Sequence, residues 1–157
     1  MNVMKPSTNA VRLDPRRVEQ LKAIGAKLGL SNAGVIARMI REQIEAGVIP
    51  DVIPGVTVRR LDDGVLIQID DSQPSTVTFD TAGKIVEALR SVANGGGGVV
   101  ELQPFDASKS FSVVRQGTGI KFQVPFHGPN AHHWNDGPSF SPDLARDLAG
   151  VIEQAAG

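Results

Sequence analysis

Asn9-Ala10-Val11-Arg12-Leu13-Asp14-Pro15 leads into a helical pattern that ends at Leu28-Gly29-Leu30-Ser31, and the reading of this stretch decides the fold. In an extended segment alternate side chains point to opposite faces, so Val11 and Leu13 share one face while Thr8, Ala10 and Arg12 share the other. One face is apolar and the other carries a cation. Asp14 suits an N-cap, and Pro15 suits the first helical position, where its missing N–H has no role to lose. Val18, Leu21, Ile24 and Leu28 follow at three- and four-residue spacing and make a single apolar stripe. Gly29 fits a left-handed position that closes this helix, and Ser31 fits the N-cap of a second one carrying Val35, Ile36, Met39, Ile40 and Ile44. Gly47 and Pro50 end that second helix.

Such a unit is incomplete in one copy. Fewer than about fifty residues bury little surface, and a lone strand leaves its backbone groups without neighbours. A second identical chain answers both needs: two copies of the strand pair antiparallel about a two-fold axis, with Val11 and Leu13 on a shared four-helix core and Arg12 outward. A two-stranded ribbon fits the major groove of B-DNA.

Val11-Arg12-Leu13-Asp14-Pro15, the helix through Leu21 to Leu28, the Gly29-Leu30-Ser31 joint and Val35-Ile36-Ala37-Arg38-Met39-Ile40 together resemble the ribbon-helix-helix family of bacterial, plasmid and phage regulators. The resemblance covers less than a third of the chain. It implies a dimer-forming β-α-α domain in which alternate strand residues read base edges and the N-terminus of the second helix grips a phosphate. By position the base-contacting residues are Thr8, Ala10 and Arg12, and the phosphate clamp is Ser31 with Asn32. Arg12 can donate two bonds to guanine O6 and N7, whereas Ala10 offers apolar contact alone. Lys27 is a further candidate for phosphate contact. A helix-turn-helix is the rival within DNA binding, because Ala26-Lys27-Leu28-Gly29-Leu30-Ser31 followed by Val35 resembles its turn. That fold needs another packing helix, and only a strand-like segment precedes the first one.

Composition sets the outer bounds. The 157 residues suffice for one medium domain or two small ones, and no cysteine is present, so disulfides and thiolate metal sites are excluded. No apolar run is long enough to span a bilayer and Met1 to Thr8 has no signal-peptide core, so a cytoplasmic protein with no membrane partner is expected. Charge is uneven: residues 1–48 hold eight cations against four carboxylates, a net of +4, leaving −5 for the remainder of a chain whose total is −1. A basic end is what a polyanion partner requires.

Met1 to Ser7 reads as an arm, residues 1–48 as the DNA-binding and dimerisation domain, and residues 49–55, punctuated by Pro50 and Pro54, as a linker. From residue 56 to residue 157 the periodicity is that of an α+β domain. Val56–Arg60 and Val65–Ile69 flank an Asp63-Gly64 turn, Thr76–Phe79 adds a strand, and Asp80 can cap a helix carrying Ala82, Ile85, Val86, Leu89 and Val92. The order recurs: Phe111–Arg115 and Ile120–Val124 flank Gln116-Gly117-Thr118-Gly119, and Ser141-Pro142-Asp143 opens a helix with Leu144, Leu148, Val151 and Ile152 inward. Val58 matches Val113, and Ile67 matches Phe122, at one constant offset. A duplicated strand-strand-helix unit over 56–93 and 111–156, with helices on one face of an antiparallel sheet, is therefore expected, and Val99 to Gln103 is a candidate extra strand.

Two features invite an enzymatic reading. Asn94-Gly95-Gly96-Gly97-Gly98 follows a helix and lacks the Lys-Ser or Lys-Thr of a phosphate cradle, so a connector is expected. His127, His132 and His133 gather near Asp136, but adjacent histidines diverge and zinc-ligand spacing is missing, so this is a weak metal candidate and a polar loop is expected. No catalytic arrangement is recognised; neither an enzyme nor a cofactor is expected. The leading expectation is a homodimeric transcriptional repressor reading double-stranded DNA. Its alternatives are an accessory protein of plasmid transfer or partition, and an antitoxin whose C-terminal domain binds a protein partner.

Overall fold

In the computed structural model, residues 10–70, 74–96, 100–102, 111–117, 119–123 and 139–157 are described. The chain divides into two compact units, Met1–Ala46 and Gly47–Gly157.

The first unit is a helical pair. Helix α1 spans Pro15–Leu28, with Asp14 as N-cap accepting from the Arg16 N–H at 2.9 Å and with Gly29 left-handed at φ 68° after its last turn. The Leu30 N–H returns to the Gly25 carbonyl, and α2 then spans Asn32–Glu45 from the Ser31 cap. Gly25 lies where the joint folds back: a Cβ there would collide with the Leu30 carbonyl and touch Val35. Among the described residues of this unit, Val35 is the buried apolar side chain, at 1% exposure. Ala10 to Leu13 form neither helix nor ladder. Over its described part, Ala10 to Leu13, the expected strand is not formed, and the described residues of this unit include no second strand to take its N–H and C=O groups. Thr8 and Asn9 lie outside the described residues.

The second unit is α+β. Strands β1 (Val56–Arg60), β2 (Gly64–Ile69) and β3 (Ser75–Thr78) form an antiparallel sheet in that order, followed by α3 (Phe79–Ala93). Strands β4 (Val100–Leu102), β5 (Phe111–Gln116), β6 (Gly119–Gln123) and β7 (Ser139–Phe140) form a second antiparallel sheet, followed by α4 (Pro142–Ala156). The two halves share register. Val58 pairs with Ile67 as Val113 pairs with Phe122, and Val65 pairs with Val77 as Ile120 pairs with Phe140. Helix α3 packs on α4 and on β5 of the other half, while α4 packs on β1, so the halves exchange helices across one core. That core includes Val65, Ile67, Val77, Ile85 and Leu89 from the first half, with Val113, Ile120, Phe122, Leu148 and Ile152 from the second.

Corresponding arginines fasten the exchange. Arg60 donates to the carbonyls of Ala155 and Ala156 at the end of α4, at 3.2 and 2.7 Å, and lies 4.5 Å from the centre of the Phe79 ring. Arg115, its counterpart, reaches the Val92 carbonyl near the end of α3 at 3.5 Å. Each cation sits at the negative end of the other half's helix.

Three details differ from expectation. The strands form two sheets rather than one, because each strand set is followed by a helix that the other set also covers. Thr78, not Asp80, caps α3, its hydroxyl accepting from the Thr81 N–H, and Phe79 opens the helix instead of ending the strand. The short strand β7 had no counterpart in the sequence reading.

Candidate nucleic-acid interface

Ordinary capping chemistry places the candidate residues of the first unit. Asp14 and Pro15 fix where α1 begins, so Ala10, Arg12 and Leu13 precede it; all are exposed. Lys27 lies in the last turn of α1, where a cation complements the carbonyl end of the helix. Two residues of loop then bring the chain to Ser31, whose hydroxyl accepts from the Gly34 N–H at 3.1 Å. Asn32 is the first residue of α2, and no acidic residue occupies that first turn. The N-terminus of α2 therefore keeps its positive end uncompensated by a side chain of its own.

Six cations of this unit fall into two groups. Arg16 approaches Asp14 at 3.8 Å, Lys22 approaches Glu19 at 3.0 Å and Arg38 approaches Glu42 at 3.4 Å. Arg17 donates to Gln20. Arg12 and Lys27 meet no carboxylate among the described residues. The pairs are exposed and one helical turn or less apart, so each contributes a few tenths of a kcal/mol at most.

Beside these cations lies apolar surface in unusual amount. Val11 is 81% exposed and Met39 51%, and Leu13, Ile24, Ile36 and Ile40 are exposed with them. They line an open groove of about 680 Å³, together with the half-buried Leu21. Isolated exposed apolar residues are normal; six gathered around one groove in a unit of this size are not. The sequence stripe Val18, Leu21, Ile24 and Leu28 is thus split: Val18 and Leu21 are half-buried, while Ile24 and Leu28 stay exposed. Gly25 was missed. Its signal was a small residue within the apolar stripe one turn ahead of the Gly29 joint.

Of the remaining candidates, Thr8, His127, His132 and His133 lie outside the described residues. Among the described residues no helix is long and apolar enough to cross a membrane. No family model matches the chain, and neither a curated protein nor a solved structure matches it.

Proposed function

We propose that the chain is a homodimeric, sequence-specific DNA-binding regulator that represses transcription by occupying its site, its amino-terminal unit being a ribbon-helix-helix. The observation that carries the reading is the exposed apolar face around Val11, Leu13, Ile24, Ile36, Met39 and Ile40, adjoining the segment Ala10 to Leu13, which is neither helix nor strand and pairs with no strand among the described residues. A second copy supplies both missing pieces. Its strand pairs with the first, and its helices cover the groove, burying apolar area at roughly 25 cal/mol per Å². The ribbon then turns Thr8, Ala10 and Arg12 outward, where Arg12 can reach guanine, and the α2 N-terminus at Ser31 and Asn32 receives a phosphate. The net charge of +4 over residues 1–48, doubled in a dimer, supports a polyanion as ligand.

The test is selection of bound fragments from random duplex DNA, followed by affinity measurements with two variants. Arg12→Ala should weaken the selected site by about 1–3 kcal/mol and leave random DNA nearly unaffected. Lys27→Ala should weaken both alike, as a phosphate contact does. Equal loss on selected and random DNA for Arg12→Ala would refute base reading.

A further inference from the structure

In the second half of the C-terminal unit, β4 pairs antiparallel along the outer edge of β5, with Val100 opposite Val113, Glu101 opposite Ser112 and Leu102 opposite Phe111. The constant offset between the halves makes Val113 the counterpart of Val58, and Phe111 that of Val56. The first half has no such fourth strand: among the described residues β1 is the edge of its sheet. Counted back by the same offset, β4 falls on Glu45-Ala46-Gly47, which ends α2 and begins the tether between the units. The segment that would have covered this edge serves elsewhere.

Hydrogen-bond phase shows what the edge offers. Leu61 donates to the Gly64 carbonyl and Asp70 to the Gly55 carbonyl, so odd-numbered residues of β1 turn their backbone groups toward β2 and even-numbered ones turn outward. The Val56 N–H is taken by the Ile53 carbonyl. The N–H groups of Val58 and Arg60 and the carbonyls of Val56 and Val58 are left facing away from the sheet.

We propose that this edge is completed by β1 of a second copy, paired antiparallel about a two-fold axis at Val58, which joins the two three-stranded sheets into one. The strand is self-complementary in that register. Val58 faces Val58, Thr57 faces Arg59 and Val56 faces Arg60, so no arginines oppose each other and the core-facing residues of both sheets stay on one side. A shift one way puts Arg59 opposite Arg59; a shift the other way takes Arg60 beyond its partner strand. Beta-branched Val56, Thr57 and Val58, with no proline, favour pairing. The tether that leads into this edge through Ile53 leaves Val48 and Val52 exposed. The inference concerns residues 47–157 and stands apart from the reading of Arg12 on DNA.

The chain has no cysteine, so single substitutions report the register directly. Thr57 and Arg59 face each other as a non-hydrogen-bonded pair, whose Cα separation of about 4.5 Å is within disulfide reach. Full-length Thr57→Cys and Arg59→Cys, mixed in equal amounts and gently oxidised, should give several-fold more disulfide-linked dimer than either alone. They should also exceed a Glu87→Cys control on the exposed face of α3. Adding Val58→Pro, which removes the central outward N–H, should suppress the product, whereas Arg12→Ala should not. Mixed yield no greater than that of the single variants or of Glu87→Cys would overturn the inference, even if the chain proves dimeric through its amino-terminal unit and binds DNA.

Discussion

At the scale of single residues, the two halves of the C-terminal unit are held by contacts that tolerate little change. Gly64 stands opposite Thr78, and a Cβ at Gly64 would run into the Val77 carbonyl, a backbone atom that cannot step aside. Gly64→Val should therefore cost about 1–3 kcal/mol, read as a fall in urea midpoint. At the matching Gly119 the nearest atom is the Ser139 hydroxyl, 2.6 Å away on an exposed side chain, so Gly119→Val should cost less. Equal losses would contradict the difference between backbone and side-chain obstruction. Arg90 and Glu153, on the facing helices α3 and α4, form an exposed ion pair. The hydrogen bond from Arg90, reinforced by its charge, holds the Glu153 carboxyl below the usual glutamate range, and partial desolvation opposes this. A lowered folded-state pKa means that the pair's contribution is present above the unfolded value and is lost as pH falls through the folded one. A carboxyl-detected NMR titration should place Glu153 lower than an unpaired glutamate, and Arg90→Gln should move it up; no movement would remove the pairing as cause. Caps such as Asp14 and Ser31 were legible because a cap and its helix are neighbours in sequence. The arginines at 60 and 115 were not, since the carbonyls they reach belong to the far half of the unit.

At the scale of elements, α1 and α2 divide their apolar residues between an inward contact at Gly25 and Val35 and an outward groove. Ile40→Glu tests what the groove is for. Ile40 is exposed within one chain, so a charge there leaves the helical pair intact, and helical content by circular dichroism should change little. Buried at a dimer seam the same charge is costly, and sedimentation should show the dissociation constant of the amino-terminal contact rising at least tenfold. An unchanged self-association would remove this face from the interface. The elements of the C-terminal unit were largely readable from period-two and helical spacing, and the constant offset between halves exposed the repetition. Three things escaped. Ser139–Phe140 is too short to show a period, the choice of Thr78 over Asp80 depends on where β3 lets go of its neighbour, and the split into two sheets depends on which helix covers which strand.

At the scale of the whole molecule, among the described residues, an exposed apolar face, the segment Ala10 to Leu13 without a ladder, and Arg12 and Lys27 without a carboxylate partner all occur in Met1–Ala46. The acidic balance belongs to the remainder. The proposed function places DNA binding and one self-association contact in the same small unit, and under it the ribbon would form only between copies. The most direct measurement is an isotope-filtered NOE spectrum on a mixture of labelled and unlabelled full-length chains. Cross-peaks between the backbone protons of Val11 to Leu13 on one copy and the same residues on the other, in antiparallel register, are the predicted result. Their absence in a sample shown to be dimeric, or contacts of that segment with its own chain alone, would contradict the account.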